Sequence, residues 1–420
     1  MRQNDPDVAP EVVVVGAGCA GIAAARALAA AGKSCVVLEG GPRVGGRAYT
    51  ATLGGAPFDH GATWLHQANE NPLTPFVGAH IDHDTVRGRH LHLGDRFATR
   101  VEMADYLRAC DVFEEAIANA PQEPDRAVSE VVPKDGRWDA TIGHWLGAQI
   151  NAAELSLISL RDYVAVDLEG PNLLPREGLG TLVARLAEGL PIRLNHAVTR
   201  LRWDGPGVVA EGAWGSLRAG AAIVTVSTGV LASGGLRFAP DLPPGVMEAI
   251  HGLPLGLLTK YGFRATGHRR LGMPPFHSAR REGAGGMSWI FWPFERDHVF
   301  GFVGGARAWE LSRQGPAATE EAARADFTAM FGAQGAALLG EAVITDWGTN
   351  PLFRGSYTHA RPGHHESRAV LSRPLGGGRL RFAGEACHSR FAGTVAGAWL
   401  SGEAAARDLL DKTAAVADPS

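Results

Sequence analysis

The sequence predicts an α/β protein in which two domains alternate along the chain. Its 420 residues exceed what one simple core needs, and 45 % of them are hydrophobic, which is enough for two packed domains. A strand–helix–strand rhythm opens the chain, strand-like apolar runs return at 192–231, and 380–410 has the pattern of a strand, a glycine-rich loop and a terminal helix. The stretches between them lack that rhythm, which indicates a second domain of α+β type.

The first domain begins with a β-branched run at 12–15, a glycine turn, an alanine-rich helix and a second apolar run at 35–38. This order is typical of a βαβ unit. Gly16, Gly18 and Gly21 form a GxGxxG pattern between the strand and the helix, where backbone amides and the helix N-terminus can approach a pyrophosphate. The unit therefore predicts a Rossmann-like dinucleotide-binding domain.

Charged residues near the glycine motif narrow the choice of dinucleotide. Glu39 ends the second strand, where a carboxylate can accept both ribose hydroxyls of adenosine but would repel a 2′-phosphate, so FAD or NAD is favoured over NADP. Gly45, Gly46 and Arg47 follow, and they offer a flexible backbone and a fixed positive fork for a diphosphate. The two glycine segments could hold a pyrophosphate from both sides, which favours FAD. The alternative, a purely structural glycine turn, does not account for Glu39.

The domain boundaries follow from these patterns. Alternating apolar residues at 255–264 and 287–304 predict strands of the second domain, and 317–331 predicts a helix. The nucleotide-binding domain is expected to comprise 11–65, 190–235 and 365–412, and the substrate-binding domain 66–189 and 236–364. The polar ends, 1–10 and 413–420, are expected to be flexible.

Composition excludes several classes of partner. A net charge of −4 and a pI near 6.5 provide no basic field for nucleic acid or an anionic membrane, so a small molecule is the expected partner. No signal-like N-terminus and no apolar run of ~18 residues is present in the sequence. The four cysteines have no metal or disulfide spacing, which favours the cytoplasm. The histidines at 80–84 and 89–95 form no complete ligand set, so no metal is expected.

Several motifs together resemble the flavin-containing amine oxidase family. They are LEGGPRVGGR, GATW at 61–64, TVSTGVL at 225–231 and FAGEACHSRFAGTVAGAWLSG at 382–402, and they span nearly the whole chain. GATWLH, NPLFRGSY and TVAGAWLSG are most similar to polyamine oxidases, spermine oxidase and lysine-specific histone demethylases. The resemblance implies FAD, hydride transfer from the carbon beside an amine nitrogen, O₂ as the electron acceptor, and imine hydrolysis to an aldehyde and a shorter amine.

The resemblance also implies which residues bind FAD. Glu39 and Arg47 would bind the adenosine and the pyrophosphate, Val198 would contact adenine through its backbone, and Glu385 would reach the ribityl chain. Thr394 lies at a predicted helix start, whose amides would face the pyrimidine ring of the flavin and stabilise its anionic reduced form. The other expected FAD contacts are Gly61, Ala62, Thr63, Trp64, Trp347, Gly384 and Val395.

Two positions separate this chain from the monoamine oxidases. Those enzymes join FAD covalently through a cysteine at the position of Ser356, and a serine cannot form the thioether, so FAD is expected to be non-covalent. Monoamine oxidases and plant polyamine oxidases carry a tyrosine at the position of Thr394. The resemblance implies that this tyrosine and one at the position of Tyr357 form an aromatic cage around the amine. With Thr394 the cage is half open here, which favours a roomier substrate such as spermine or spermidine.

Lys260 is a candidate catalytic residue. Only four of the 40 Lys and Arg residues are lysine, and lysine can lose its proton whereas arginine cannot, so a lysine in a strand-like segment suggests a special role. The resemblance implies that Lys260 is linked through water to flavin N5 and assists the reaction with oxygen. The alternative is a solvated lysine on the surface.

Aromatic residues and one histidine are expected to hold the amine. The resemblance places Tyr357 before the flavin face, and His66 would form a hydrogen bond with an amine nitrogen. A core tyrosine and an ordinary part-buried histidine are the alternatives. Trp64, Phe291 and Trp292 are expected as further walls of a dry pocket, which would favour the neutral amine that hydride transfer needs.

Other functions stay open on the sequence alone. A monoamine oxidase, an amine dehydrogenase, a FAD-bound desaturase or isomerase, and a complex-forming protein are the alternatives to a polyamine oxidase. Amino acids rank low, because Thr63 and Trp64 stand where amino-acid oxidases carry a carboxylate-binding arginine. Asp167, Glu169 and Glu177 could bind a distant ammonium, although such loop acids are usually solvated. The cleaved C–N bond and the oligomeric state are undetermined.

Overall fold

The computed structural model of the protein describes residues 9–166, 168–267 and 271–417. Its strands are β1 (Val12–Val15), β2 (Cys35–Leu38), β3 (Thr50–Leu53), β4 (Ala56–Asp59), β5 (His80–Asp82), β6 (Arg89–Leu93), β7 (Arg96–Phe97), β8 (Leu173–Pro175), β9 (Ile192–Arg193), β10 (Arg200–Arg202), β11 (Val208–Gly212), β12 (Gly215–Ala219), β13 (Ala221–Val224), β14 (Arg237–Ala239), β15 (Leu258–Ala265), β16 (Ser278–Arg281), β17 (Ser288–Phe291), β18 (His298–Gly304), β19 (Leu339–Ile344) and β20 (Leu380–Phe382).

The helices alternate with these strands. The α-helices are α1 (Cys19–Ala30), α2 (His83–Val86), α3 (Arg100–Asn119), α4 (Asp139–His144), α5 (Leu160–Ala165), α6 (Leu179–Arg185), α7 (Thr228–Ala232), α8 (Pro244–Gly252), α9 (Gly305–Gln314), α10 (Pro316–Ala336), α11 (Ser367–Ser372) and α12 (Val395–Ala417). A π-helix, Trp145–Asn151, continues α4 directly. Short 3-10 turns lie at Thr74–Phe76, Val128–Glu130, Leu155–Leu157, Pro293–Glu295, Gly376–Gly378 and Glu385–Cys387.

A parallel sheet forms the centre of the nucleotide-binding part, with the strand order β20-β13-β1-β2-β9. Every residue of β1 and β2 is buried, as expected for parallel strands that are covered on both faces. Helices α1 and α12 pack together and share one apolar cluster with this sheet. The predicted βαβ unit and the Rossmann-like fold are confirmed.

Two glycines of the GxGxxG motif have different structural roles. A Cβ at Gly21 would lie 1.9 Å from the carbonyl oxygen of Gly16, so only glycine lets α1 approach the end of β1 this closely. A Cβ at Gly18 would meet no atom within 4 Å. Gly21 therefore serves helix–strand packing, and Gly18 leaves space for a ligand.

The second large sheet has the strand order β19-β15-β18-β17-β16-β6-β7, and most of its neighbours are antiparallel. Strands β15, β17 and β18 and helix α10 match the predicted elements, whereas α9 was not predicted. One face of the sheet packs against an apolar cluster that contains Trp289, Phe291 and Phe327. The other face borders a cavity.

Segments that are distant in the sequence meet as predicted. Strands β9, β13 and β20 join β1 and β2 in one sheet, and β10 to β12 pair beside it with β14. The exact domain boundaries stay a prediction. Of the termini expected to be flexible, 1–8 and 418–420 lie outside the described residues, whereas 413–417 form the last part of α12, which ends at Ala417. In the part of the chain described, no helix combines the length and hydropathy needed to cross a membrane.

Candidate active site

A cavity of about 610 Å³ lies between the parallel sheet and the second large sheet, within the size range of ligand sites. Most residues predicted for the site line it, although they come from segments far apart in the sequence. They are Gly16, Gly18, Glu39, Gly45, Gly46, Arg47, Gly61, Ala62, Thr63, Trp64, His66, Val198, Lys260, Trp347, Ser356, Tyr357, Gly384, Glu385, Thr394 and Val395.

Three expected site residues do not line the cavity. Gly21 lies behind the motif, against Gly16. Phe291 is fully buried on the face of β17 that packs against α10, since it alternates with Ile290, which does line the cavity. Trp292 follows the strand into the same apolar cluster. Phe291 and Trp292 therefore belong to the core and are not pocket walls, contrary to expectation.

The nucleotide end of the cavity is built around Glu39. Its carboxylate accepts hydrogen bonds from the amides of Ala17 and Gly41, both at 2.7 Å, which fixes its position at the end of β2. Each carboxylate oxygen can accept a further bond, as ribose hydroxyls require. Gly18 and Gly45 are paired through their backbones, so the two glycine segments converge here. The open space at Gly18 and this acceptor set fit an adenosine diphosphate.

Arg47 connects the nucleotide end to the C-terminal segment. Its Nη1 donates to the Ser356 carbonyl and, at 2.9 Å, to the carboxylate of Glu385. Glu385 is 6 % exposed, and it also accepts from the Thr358 hydroxyl at 2.6 Å and the Gly393 amide at 3.1 Å. The guanidinium has more N–H groups than these two acceptors use, so Arg47 can also bind a diphosphate.

The N-terminus of helix α12 opens into the cavity. Thr394 caps it, because its Oγ1 accepts from the Gly397 amide at 3.0 Å and donates to the Phe391 carbonyl at 2.7 Å. Val395 and Ala398 in the first turn also line the cavity. The positive end of the helix dipole therefore faces the space where an anionic ring system would be stabilised.

Ser356 joins two chain segments by hydrogen bonds. Its hydroxyl accepts from the Leu258 amide at 2.8 Å and donates to the Leu258 carbonyl at 3.0 Å. The segment before Tyr357 is thereby held against the start of β15. Because a hydroxyl cannot form a thioether, this position provides no covalent link to a flavin, in agreement with the expected non-covalent cofactor.

Lys260 is the most unusual side chain of the site, because it is only 3 % exposed. Its Nζ donates to the carbonyls of Asp59 at 2.9 Å and Gly61 at 2.6 Å, and it also contacts the Thr63 hydroxyl. Burial lowers the pKa of Lys260 to about 8, although the buried carboxylate of Asp59 opposes this shift. The amine is thus held beside the GATW segment and titrates near neutral pH.

The side chains of Tyr357 and His66 are each held in place by a hydrogen bond. The Tyr357 hydroxyl donates to the Ile150 carbonyl of the π-helix at 2.7 Å. His66 Nδ1 lies 2.6 Å from the Asn172 side-chain oxygen, and the Asn172 amide donates to Asp84. This orientation of Asn172 requires a proton on His66 Nδ1 and leaves Nε2 as an acceptor. Burial lowers the pKa of His66, which favours the neutral ring.

Several site residues were missed by the sequence analysis. Asp59 anchors the N-terminus of α6 through the amides of Leu179 and Gly180, and its only sequence signal is its position shortly before GATW. Trp145 and Gln149 enter the cavity from the π-helix, a feature frequent at functional sites. No motif indicated the π-helix.

The acidic residues considered for a distant ammonium do not support that role. Glu169 is exposed and Glu177 pairs with Arg185 at 2.7 Å, and neither lines the cavity. Asp167 lies outside the described residues. Across the described ranges, no group of three His, Cys, Asp or Glu side chains is arranged to hold a metal ion.

Several known proteins are similar to this chain in sequence over most of its length. Polyamine oxidase 4 of Oryza sativa subsp. japonica is 29 % identical over 94 % of this chain and 88 % of its own length, and polyamine oxidase 2 of Arabidopsis thaliana is 29 % identical over 95 % and 88 %. Lysine-specific histone demethylase 1 homolog 3 of Oryza sativa subsp. japonica is 29 % identical over 93 % of this chain, which spans only 53 % of that protein.

Solved structures share the fold. Wild-type putrescine oxidase bound to putrescine superimposes with a TM-score of 0.78 at 21 % identity, covering 96 % of this chain and 99 % of that one. Cyclohexylamine oxidase from Brevibacterium oxydans IH-35A gives 0.76 at 20 % identity, covering 97 % and 100 %.

Two family models match the chain itself. An NAD(P)-binding Rossmann-like domain matches residues 14–79, and the model of the flavin containing amine oxidoreductases matches residues 114–410. The second match covers more than half of the chain, and it implies FAD as the cofactor that the glycine motif and Glu39 fit. The chain belongs to the family of flavin containing amine oxidoreductases.

Proposed function

We propose that the protein is an FAD-dependent oxidase of amines, with polyamine-like compounds as its substrate class. The observation that carries this proposal is Lys260, a buried lysine with a lowered pKa in the wall of a cavity that fits FAD. In a protein that has arginine at most of its basic positions, a purely structural role would not require a lysine at this buried position. Perturbed lysines in cavities are typical of functional sites.

Bound FAD would accept hydride from the carbon beside the amine nitrogen and pass the electrons to O₂, which yields hydrogen peroxide and an imine that water hydrolyses to an aldehyde and an amine. The protein must present the amine in its neutral form, since an ammonium has no lone pair. Trp64 and Tyr357 provide an aromatic, poorly hydrated wall that disfavours the charged form. His66 Nε2 is available to accept a hydrogen bond from the amine N–H.

Lys260 is proposed to act in the reaction with oxygen. Electrons passed to O₂ create negative charge, and an ammonium held beside the reacting face stabilises it. The contacts with Asp59, Gly61 and Thr63 hold Nζ in one place, so little reorganisation is needed at the moment of reaction. A pKa of about 8 leaves the group mostly protonated at neutral pH and still able to release a proton.

The polyamine class is supported by the relatives and by one position. This chain covers 88 % of each of the two polyamine oxidases, whereas it spans 53 % of the demethylase homologue. Thr394 is a small residue that lines the cavity together with Tyr357, and a Cβ at the neighbouring Gly393 would lie 3.5 Å from the tyrosine ring, so a small side chain here leaves room next to the aromatic wall. A monoamine oxidase and an amine dehydrogenase are the alternatives that the test below separates.

The test is anaerobic titration of the purified yellow protein with spermine, spermidine, putrescine, a monoamine and an amino acid. We expect loss of flavin absorbance with amines of the substrate class and no loss with the amino acid. Admission of air should restore the absorbance within seconds for an oxidase and much more slowly for a dehydrogenase. If no amine bleaches the flavin, the proposal fails.

We place the enzyme in the cytoplasm, because Cys19, Cys35, Cys110 and Cys387 are all free thiols in the structure. Cell fractionation with an antibody against the protein tests this placement. Recovery with secreted or periplasmic markers would contradict it.

A further inference from the structure

A row of residues crosses the second large sheet on the face that borders the cavity. Lys260 on β15 pairs with Phe302 on β18, Phe302 pairs with Ser288 on β17, and Ser288 pairs with Arg280 on β16. Directly paired residues on neighbouring strands share one face, and all four line the cavity. Three strand spacings separate Lys260 from Arg280, roughly 14 Å between their backbones.

Aromatic rings cover the path between the two ends of this row. Lys260 Nζ lies 5.9 Å from the ring centre of Trp64, and the Trp64 and Phe302 rings are 6.3 Å apart. Phe302 lies 6.4 Å from Trp145, and Arg280 stacks on Trp145 at 4.0 Å. Aromatic side chains thus line the cavity between Lys260 and the Arg280 guanidinium.

Arg280 is fixed but has no anionic partner in the part of the chain that the structure describes. Its Nη2 donates to the Tyr106 hydroxyl at 2.7 Å, and its guanidinium lies on the Trp145 ring. Burial lowers the pKa of Arg280, while the Tyr106 hydroxyl opposes this shift and Arg89 adds to it. Among the described residues, no carboxylate contributes to the electrostatics of this guanidinium, although it lines the cavity.

The charges that line the cavity differ between its two ends. Among the described lining residues the carboxylates are Glu39, Asp162 and Glu385, and each is occupied: two backbone amides bind Glu39, Arg368 binds Asp162 at 2.6 Å, and Arg47 binds Glu385. The far end carries Arg87, Arg89 and Arg280. Only Arg87 of these has a carboxylate partner, Asp84 at 2.9 Å, among the residues described.

We propose that Arg280 binds a carboxylate at the far end of the substrate, so that amines with a distal carboxylate are preferred over diamines of equal length. The proposal rests on the proposed amine oxidation at the Lys260 end, and it revises the polyamine-like class to amines whose far end carries a carboxylate in place of a second ammonium. A second ammonium at the end lined by Arg87, Arg89 and Arg280 would be repelled, because all three side chains are cations. A planar carboxylate matches the guanidinium fork. Arg280 uses one N–H group for Tyr106, and its other N–H groups can donate to a carboxylate. α-Amino acids do not fit, because their carboxylate lies on the reacting carbon.

The first test measures binding without oxidation. Straight-chain alkyl carboxylates and alkylammonium ions of four to eight carbons are titrated into the FAD-bound protein by calorimetry. We expect the carboxylates to bind more tightly, and Arg280→Gln to weaken them about 10- to 100-fold. Arg313→Gln, which removes an exposed arginine of α9, is the matched control and should bind as wild type does. Carboxylate binding that is equal in Arg280→Gln and Arg313→Gln would overturn the proposal.

The second test compares kcat/KM for ω-aminocarboxylates and diamines with equal numbers of chain atoms. We expect the aminocarboxylates to be favoured in the wild type and Arg280→Gln to reverse or abolish that preference, mainly through KM. Arg280→Lys keeps the charge without the fork, and it should retain part of the preference if Arg280→Gln is too unstable to study. A preference for diamines that Arg280→Gln leaves unchanged would refute the assignment. If no amine is oxidised, the proposed function fails, while the calorimetry still decides the role of Arg280.

Discussion

The two ends of the cavity are constructed in different ways. The nucleotide end consists of short continuous motifs, such as the segment 16–21, the segment 45–47 and GATW at 61–64, whose residues are neighbours in sequence and in space. The far end consists of single residues from separate segments, such as Arg89 on β6, Arg280 on β16 and Trp145 on the π-helix, which strand pairing and packing bring together. Phosphate binding needs a local backbone conformation, whereas the proposed carboxylate site depends on residues that are distant in the sequence.

The same two ends differ in electrostatics. At the nucleotide end each carboxylate is matched by an arginine or by backbone amides, so that a bound cofactor enters a balanced site. At the far end the described residues provide arginine without an equal number of acids. The charges of the cavity are therefore balanced at the nucleotide end, whereas the far end, where we propose that the substrate carboxylate binds, has an excess of positive charge.

The largest expected effect concerns the glycine motif. In Gly21→Val the new side chain would overlap the Gly16 carbonyl and separate α1 from β1, so we expect the protein to be purified without FAD and with a clearly lower melting temperature. Gly18→Ala is the matched control, since its Cβ has open space; it should fold normally and weaken only FAD binding. Flavin absorbance and thermal melting measure both. A yellow Gly21→Val protein with wild-type melting would contradict the packing role.

The next effect concerns Lys260. Lys260→Met removes the charge but keeps a similar volume, and we expect reoxidation of the flavin by O₂ to slow roughly 100-fold while reduction by amine changes only a few-fold. Stopped-flow absorbance measures the two half-reactions separately. Lys134→Met, at an exposed lysine, is the control. Equal slowing of both half-reactions would show that Lys260 has a different role.

A smaller effect is expected from pH. The pKa of Lys260 is lowered to about 8, so the ammonium is lost as pH rises through that value. If the charge assists oxygen reduction, the reoxidation rate should fall by about tenfold between pH 7 and pH 9 in the wild type. Lys260→Met should show no such step. A wild-type rate that rises over this range would assign the active form to the neutral amine.

The smallest kinetic effect is expected at Phe291. Because its ring packs against α10 and not in the cavity, Phe291→Leu should lower the free energy of unfolding by about 1 kcal/mol and change kcat/KM less than twofold. Urea unfolding and steady-state kinetics measure these quantities. An altered KM with unchanged stability would indicate that Phe291 lines the pocket, as the sequence suggested.

The sequence predicted the nucleotide end well, because glycines, Glu39 and Arg47 have local backbone reasons for their positions. It also located Lys260, since a rare lysine in an arginine-rich chain is visible without a structure. It placed Phe291 wrongly, because alternation in β17 shows two faces but not which one borders the cavity. Arg280 was not predicted at all. Its neighbours in space are β6, β17 and the π-helix, and no local sequence pattern indicates that these elements lie beside Arg280.

The central claim, amine oxidation by FAD in this cavity, is tested most directly by a single turnover. One equivalent of a substrate amine is added to the protein without oxygen, and air is then admitted. We expect complete loss of flavin absorbance, followed by release of one hydrogen peroxide and one aldehyde per flavin. Flavin that stays oxidised with every amine, yet is reduced by a nicotinamide dinucleotide, would contradict it.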